Sequence, residues 1–280
     1  AGKAASSVGL SYAQNRIQTT YKADLNGSIT ALGNVYVFGH SRANNVGVAA
    51  GAGATRGKFS GMGSASVNLI GQRTSATVSG GSVTAASLNM ESDTEGNIFS
   101  LAGNVSVAVG SGQGSAAGGA VSYTQTGTKT FTVADSTYTV DGQTVVQNGG
   151  TVVNRNAGNT ASITNATVNT GGGDVNVMAS NRSNNQSVAA SGAFSDGTFA
   201  FTGTATWNEI GDVTDALISG SNVTAQDIKV QAGNGEGANS AKISSLAGGV
   251  ASCAGKPKKI SRRWSVISLR CASCKAHRHR

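Results

Sequence analysis

The sequence predicts an all-β fold: a parallel β-helix (β-solenoid) with an antiparallel hairpin insertion and a disordered C-terminal tail. Three observations favour it: a long internal self-match, stretches that alternate polar and apolar side chains, and 40 Gly beside only 5% aromatic residues. Short strands in a serial repeat, with few bulky side chains, are typical of solenoids, in which each coil covers the inner face of its neighbour. A collagen triple helix is excluded, because Gly has no three-residue period and the 280 residues include one Pro.

The repeat defines the organisation of residues 1–252. The segment that begins at Ser66 matches the one that begins at Thr206 without a gap, so that Asn68 falls on Asn208. Related tetrads start at Asn34, Ser87, Asp174 and Asp227, and the second and third of these are farther apart than the other neighbours. We therefore expect four units, the third of which carries extra residues. At roughly 20 residues per coil, each unit should make two or three coils, in a rod about 50 to 60 Å long.

The local pattern within each unit is that of a strand with one buried face. Residues 34–37, 174–177 and 227–230 alternate polar with apolar side chains, which is the period of a half-buried strand. The Asn pairs at 44–45 and 184–185 fit stacked, hydrogen-bonded amides at one corner of successive coils, but the simpler interpretation is that Asn merely serves the turns. The Gly/Ala tract at 46–54 fits either a narrow coil or a flexible crossing.

The extra residues of the third unit, at about 128–159, predict an antiparallel meander. Asp141-Gly142 and Asn148-Gly149 separate short β-branched runs, and such dipeptides are strong hairpin signals. An antiparallel element cannot join a parallel stack, so it should project from the rod, and solenoid insertions often carry the binding face. We expect Tyr138, Asp141 and Arg155 to form a contact surface there; the alternative interpretation is a structural cap.

Residues 253–280 form a tail of different composition. This tail holds 9 of the 21 Lys and Arg, no Asp or Glu, and all three Cys, so the net charge of +8 belongs to it alone. Residues 1–252 have no stripe of basic side chains that could neutralise nucleic-acid phosphates. The overall positive charge is therefore no argument for a nucleic-acid partner, and we expect none. Cys271, Cys274, His277 and His279 are of the types that bind zinc, but their spacing is too compressed for a structural site. We predict no metal and no cofactor, and interpret the tail as disordered or translated from a shifted frame.

An enzymatic function is the first alternative to a binding function. Glu91, Asp93 and Glu95 form the densest acidic cluster, and their alternate spacing places them on one strand face. On a β-helix, paired carboxylates could serve a polysaccharide lyase or glycosidase. A solvated turn is the simpler interpretation, because the related unit has Gln and Gly at these positions. The motifs of hydrolases, P-loop proteins and zinc peptidases are absent from the sequence, and the protein is predicted not to be an enzyme.

Several motifs resemble those of the bacterial filamentous adhesins of the haemagglutinin type, and especially the leukotoxin-family filamentous adhesins. They are the [GS]-x-[IV]-T-A stretches, the Asp/Asn-Val-x-Val strands and the GVAAGAGA tract at 47–54. The resemblance covers about residues 5–252. It implies a secreted β-helical protein of the bacterial cell surface or outer membrane, exported by an outer-membrane transporter. Such a virulence-associated stalk or binding module mediates cell adhesion, attaching to a glycan or protein receptor on host cells or other bacteria. Residues 106–110 also resemble the repeat element of trimeric autotransporter adhesin heads, which keeps that family as a second alternative.

Overall fold

The computed structural model describes residues 6–110, 113–127, 130–133, 136–140, 143–147, 150–153, 158–197, 199–233 and 241–254. Most of these residues form parallel strands in three sheets, two further pairs of short strands are antiparallel, and none of the described residues is helical, as the sequence predicts. Wide sheet 1 contains β1 (Ser6–Asn26), β4 (Phe59–Ser79), β7 (Ser115–Gly127), β12 (Gly158–Thr164), β16 (Phe199–Gly211) and β17 (Thr214–Ser219). The narrow sheet contains β2 (Ile29–Thr30), β5 (Ser82–Thr84), β13 (Thr167–Asn169) and β18 (Asn222–Thr224). Wide sheet 2 contains β3 (Asn34–Thr55), β6 (Ser87–Ala108), β14 (Val175–Asn181), β15 (Asn184–Ser195), β19 (Ile228–Gly233) and β20 (Lys242–Cys253).

Each repeat unit makes one coil. Ser6 pairs with Phe59 and Val35 with Leu88, so the chain returns to the same place after one unit. The expectation of two or three coils per unit is therefore wrong, because strands of 21 and 22 residues make each coil wide. Four coils at about 4.8 Å per step span about 14 Å from the first to the last, not about 50 to 60 Å.

The [GS]-x-[IV]-T-A motifs form the corner between the two wide sheets. The Val-Thr or Ile-Thr of each motif is a strand of the narrow sheet, and Val83 pairs with both Ile29 and Val168. Gly80 and Gly81 precede β5 with φ of 65° and 68°, a conformation that favours Gly. A Cβ on Gly81 would collide with the backbone of Gly27 in the coil below, so this corner requires Gly for close approach as well.

The apolar core lies next to the narrow sheet. Its residues form columns across the coils, and each coil contributes one side chain to a column. The fully buried members include Val78, Leu88, Met90, Ile163 and Val177. Removal of such columns from water is the main stabilising contribution here, at about 25 cal/mol per Å² of apolar surface.

The opposite half of the interior is mostly polar, with small clusters of buried Ala between the polar side chains. Ser122 donates to Ser100 (2.7 Å) and Ser100 to Ser66 (2.9 Å), so the hydroxyl groups satisfy one another between the sheets. Asn15 donates to Asn68 Oδ1 at 3.0 Å along wide sheet 1, from one coil to the next. Close packing here requires small residues, since a Cβ on Gly47 would overlap the Asn68 amide.

The Asn pairs and the Gly/Ala tract lie inside long strands. The interpretation of these Asn as turn residues is wrong, because both pairs lie in strands. Asn44, Asn97 and Asn184 share one column, and the Asn97 amide donates to Asn44 Oδ1 at 3.0 Å, in the middle of β3 and β6 rather than at a corner. Residues 46–54 continue β3, so the tract is part of a coil and not a flexible crossing.

The insertion leaves wide sheet 1 and returns to it at one point. Thr126 pairs with Ile70 and Gly158 with Arg73, so β7 and β12 lie end to end along β4. Between them are four short strands: β8 (Thr130–Val133), β9 (Ser136–Val140), β10 (Gln143–Gln147) and β11 (Gly150–Val153). β9 pairs antiparallel with β10, and β8 with β11, which confirms an antiparallel insertion. A meander is wrong, because β11 returns to β8 instead of pairing with β10.

The expectations for the tail lie outside the described residues, apart from Cys253 at the end of β20 and the residue after it.

Candidate functional site

The outer face of wide sheet 2 divides into a charged half and an apolar half. The charged half carries His40, Arg42, Glu91, Asp93, Glu95 and Arg182. The apolar half carries the exposed side chains of Val46, Val48, Phe99, Val105, Phe194, Leu246 and Val250. Both halves arise from the same alternation along β3, β6 and β15, whose other side chains point into the coil.

Asp93 is the centre of the charged half and joins three coils. Its side chain is 2% exposed, lies 3.0 Å from His40 Nδ1 and forms an ion pair with Arg182. The Arg182 guanidinium donates to both carboxylate oxygens, from Nε to Oδ1 at 3.2 Å, and the Ser180 hydroxyl also donates to Oδ1. His40 lies on the first coil, Asp93 on the second, and Ser180 and Arg182 on the third. The group therefore fastens three successive coils on one face.

The electrostatics of this group follow from its geometry. A bidentate guanidinium–carboxylate pair is among the strongest hydrogen-bonded ion pairs in proteins. The hydrogen bond to Asp93 holds the pKa of Arg182 above its usual range. A second pair, between Arg42 Nε and Glu95 (3.2 Å), is more exposed, with 65% of the Arg side chain accessible.

The solvated turn expected for Glu91, Asp93 and Glu95 is wrong. All three lie inside β6 and share its outer face, as their alternate spacing predicts. Two of the three carboxylates are held by arginines, so the cluster presents neutralised groups. The assignment of the protein as a non-enzyme stays a prediction.

His40 and Arg182 are the residues that sequence reasoning missed. The signal for His40 was present, since His40 and Arg42 precede Asp93 and Glu95 by the length of one coil. Arg182 follows β14, where no strand pattern marks it, and the insertion lengthens its separation from the acidic cluster.

A cavity of about 910 Å³ lies beside the apolar half. Its lining combines the small residues of β15 and β20 with Phe194, Leu246 and the hydroxyl-bearing Thr202 and Thr204. This composition favours apolar contacts with few polar groups.

The outer face of wide sheet 1 carries aromatic side chains. Trp207 (67% exposed) pairs in register with Tyr123, and Phe199 and Phe201 lie on the same outer strand. Burial, together with the charge and hydrogen bond of Glu209, raises the pKa of Tyr123. Exposed Tyr and Trp are common anchors in binding surfaces.

The insertion replaces a single inward position of the stack. Gln72 in the second coil and Asp212 in the fourth lie where the third coil has residues 128–157. Asp212 accepts from the Ser183 hydroxyl at 2.8 Å, and its burial raises the pKa of the carboxyl. The insertion therefore starts next to a polar column of the interior.

The three residues expected to bind a partner belong to this insertion. Tyr138 lies on β9, where it pairs with Val145 of β10. Asp141 and Arg155 lie outside the described residues, so the surface expected from the three stays a prediction.

No family model matches the chain, and no curated protein or solved structure matches it significantly. Within the described ranges, no helix is long and apolar enough to cross a membrane. The same ranges contain no group of three His, Cys, Asp or Glu residues that could hold a metal ion, and the Cys/His cluster of the tail lies outside them.

Proposed function

We propose that this chain is a stalk and binding module of a filamentous adhesin on a bacterial cell surface. The observation that carries the proposal is the insertion, which leaves and re-enters a continuous solenoid strand between Thr126 and Gly158. The parallel stack around it keeps its register, so a rigid support displays an element with its own antiparallel pairing. Loops on rigid scaffolds are where binding surfaces concentrate.

The partner in this proposal is a glycan or protein receptor on a host cell or another bacterium. Tyr138, Asp141 and Arg155 supply an aromatic ring and both charges, a combination suited to either class. Export to the surface through an outer-membrane transporter is part of the same proposal and rests on the resemblance of the repeat motifs.

The proposal is tested by removing the insertion without disturbing the stack. Replacing residues 128–157 with one Gln gives Gly127-Gln-Gly158, which copies the Gly71-Gln72-Arg73 passage of the second coil. Beads coated with the full chain should attach to epithelial or bacterial cells, and beads coated with the shortened chain should not. Circular dichroism should report an unchanged β fold.

Point variants refine the test. The triple change Tyr138→Ala, Asp141→Ala and Arg155→Ala should also abolish attachment, whereas Tyr36→Ala, at a 57% exposed position of the solenoid, should not. Equal attachment by the shortened and complete chains would overturn the assignment.

A further inference from the structure

The stack has an open edge at each end. Within the described residues, β1 and β3 of the first coil pair on one side only, as do the strands of the fourth coil. The inward side chains of β1 and of the fourth coil are only half buried, whereas most of those of β3 and of the two inner coils are buried. Unpaired strand edges bind other strands readily.

The two open edges have matching interiors. The column that starts at Ala23 ends at Ala216, and the column that starts at Leu25 ends at Ile218. All four side chains pack on the apolar core and stay half exposed. In the polar half, the Asn15 column ends at Asn208, so the edges also match in hydrogen-bonding groups.

The charges on the two edges are complementary in the same register. The outward column through Lys22, Ser75 and Thr160 ends at Asp215. A second column begins at Arg16 and ends at Glu209. Opposite charges side by side on adjacent strands are stabilising, and like charges are destabilising. If one chain is stacked on another, each column that reaches both edges places its last residue beside its first. Among the described residues, no such pair consists of two like charges.

We propose that a second copy of this chain stacks its first coil on the fourth coil, parallel and with Lys22 next to Asp215. The occupant is a second copy because the two edges of one chain complement each other. They match in the types of their interior residues, and their outward charges are opposite. The interface is heterologous, so each added copy leaves a new open edge and the assembly grows as a filament. This inference is independent of attachment through the insertion, since it needs neither Tyr138 nor the cells to which the module binds.

A charge exchange tests the contact. Analytical ultracentrifugation of the full chain should show mass that grows with protein concentration. Lys22→Glu or Asp215→Lys alone should weaken association about fivefold, and the double variant should restore it, because exposed pairs on adjacent strands are worth a few-fold each. Both side chains are exposed, so circular dichroism and the melting temperature should stay those of the original chain.

Cysteine cross-linking tests the register. In a background with Cys253, Cys271 and Cys274 replaced by Ser, Asp24→Cys and Leu217→Cys share an outward column across the proposed interface. Adjacent strands are about 4.8 Å apart, within disulfide range, while the two positions in one chain are three coils apart. Oxidation should therefore give a ladder of linked chains.

The control pair is Thr20→Cys with Leu217→Cys. Thr20 precedes Asp24 by two outward positions, about 13 Å along the strand, and should not cross-link. A chain that stays monomeric at all concentrations would overturn the proposal. So would association that the double charge variant fails to restore, or equal cross-linking of both cysteine pairs, which would indicate stacking without register.

Discussion

Removing Arg182 should destabilise the fold much more than removing another arginine of the same face. Arg182→Met keeps most of the apolar stem but leaves the Asp93 carboxylate, 2% exposed, with His40 and Ser180 as its remaining polar partners. Loss of one partner of a buried ion pair costs about 3–5 kcal/mol. Because the Arg182 side chain is itself 28% exposed, we expect the lower end, about 3 kcal/mol in the free energy of unfolding.

Arg42→Met is the matched control. Its partner Glu95 is 29% exposed and Arg42 is 65% exposed, so its loss should cost less than about 1 kcal/mol. Urea unfolding at neutral pH, followed by circular dichroism, measures both variants against the original chain. The double variant Arg182→Met with Asp93→Asn should recover part of the loss, because no unpaired charge stays buried. Equal destabilisation by Arg182→Met and Arg42→Met would refute the reasoning.

Two further substitutions test the interior. Burial raises the pKa of Asp212 above the ordinary value of 3.8, so ionisation of this carboxyl costs more in the folded state than in the unfolded chain, and it lowers stability above that pH. Asp212→Asn should therefore raise the urea midpoint at pH 7, and the gain should vanish toward pH 3.8; an unchanged or lower midpoint at pH 7 would contradict this assignment. Gly173→Ala should cost about 1–3 kcal/mol in urea unfolding, because its Cβ would collide with the Ala86 carbonyl, whereas Gly33→Ala has open space and should be neutral. Similar midpoints for the two Gly variants would show that the coils do not approach so closely.

The fold class could be predicted because the internal repeat is visible in the sequence whatever the secondary-structure propensity of the individual residues. The self-match of Ser66 with Thr206 corresponds to two coils, since Ser66 pairs with Ser122 and Ser122 with Thr206. Coil size was not predictable from the pattern of apolar residues. The inner positions of half of each coil are mostly Ser, Thr, Asn, Gly and Ala, so the alternation of polar with large apolar side chains that marks a strand is absent from the part that makes the coil wide.

The insertion was located from its turn dipeptides, but its pairing was not predicted. β9 and β10, which flank Asp141-Gly142 in the sequence, pair antiparallel, as expected. Asn148-Gly149 carries the same local signal, yet β11 pairs with the more distant β8. Local turn chemistry therefore identified one partner, and the other depended on a contact between segments farther apart in sequence.

The distance between spin labels at Tyr36 and Lys229 tests the central claim, that each repeat unit makes one coil. The two positions lie on the outer face of one column, through Asn89 and Asn176, and are three coil steps apart. The measurement uses Tyr36→Cys with Lys229→Cys in the background without native cysteines, diluted with unlabelled chain so that only distances within one molecule count. The structure predicts about 14 Å between the backbones, plus the length of the labels. A distance of about 45 Å, as coils of roughly 20 residues would give, would contradict it.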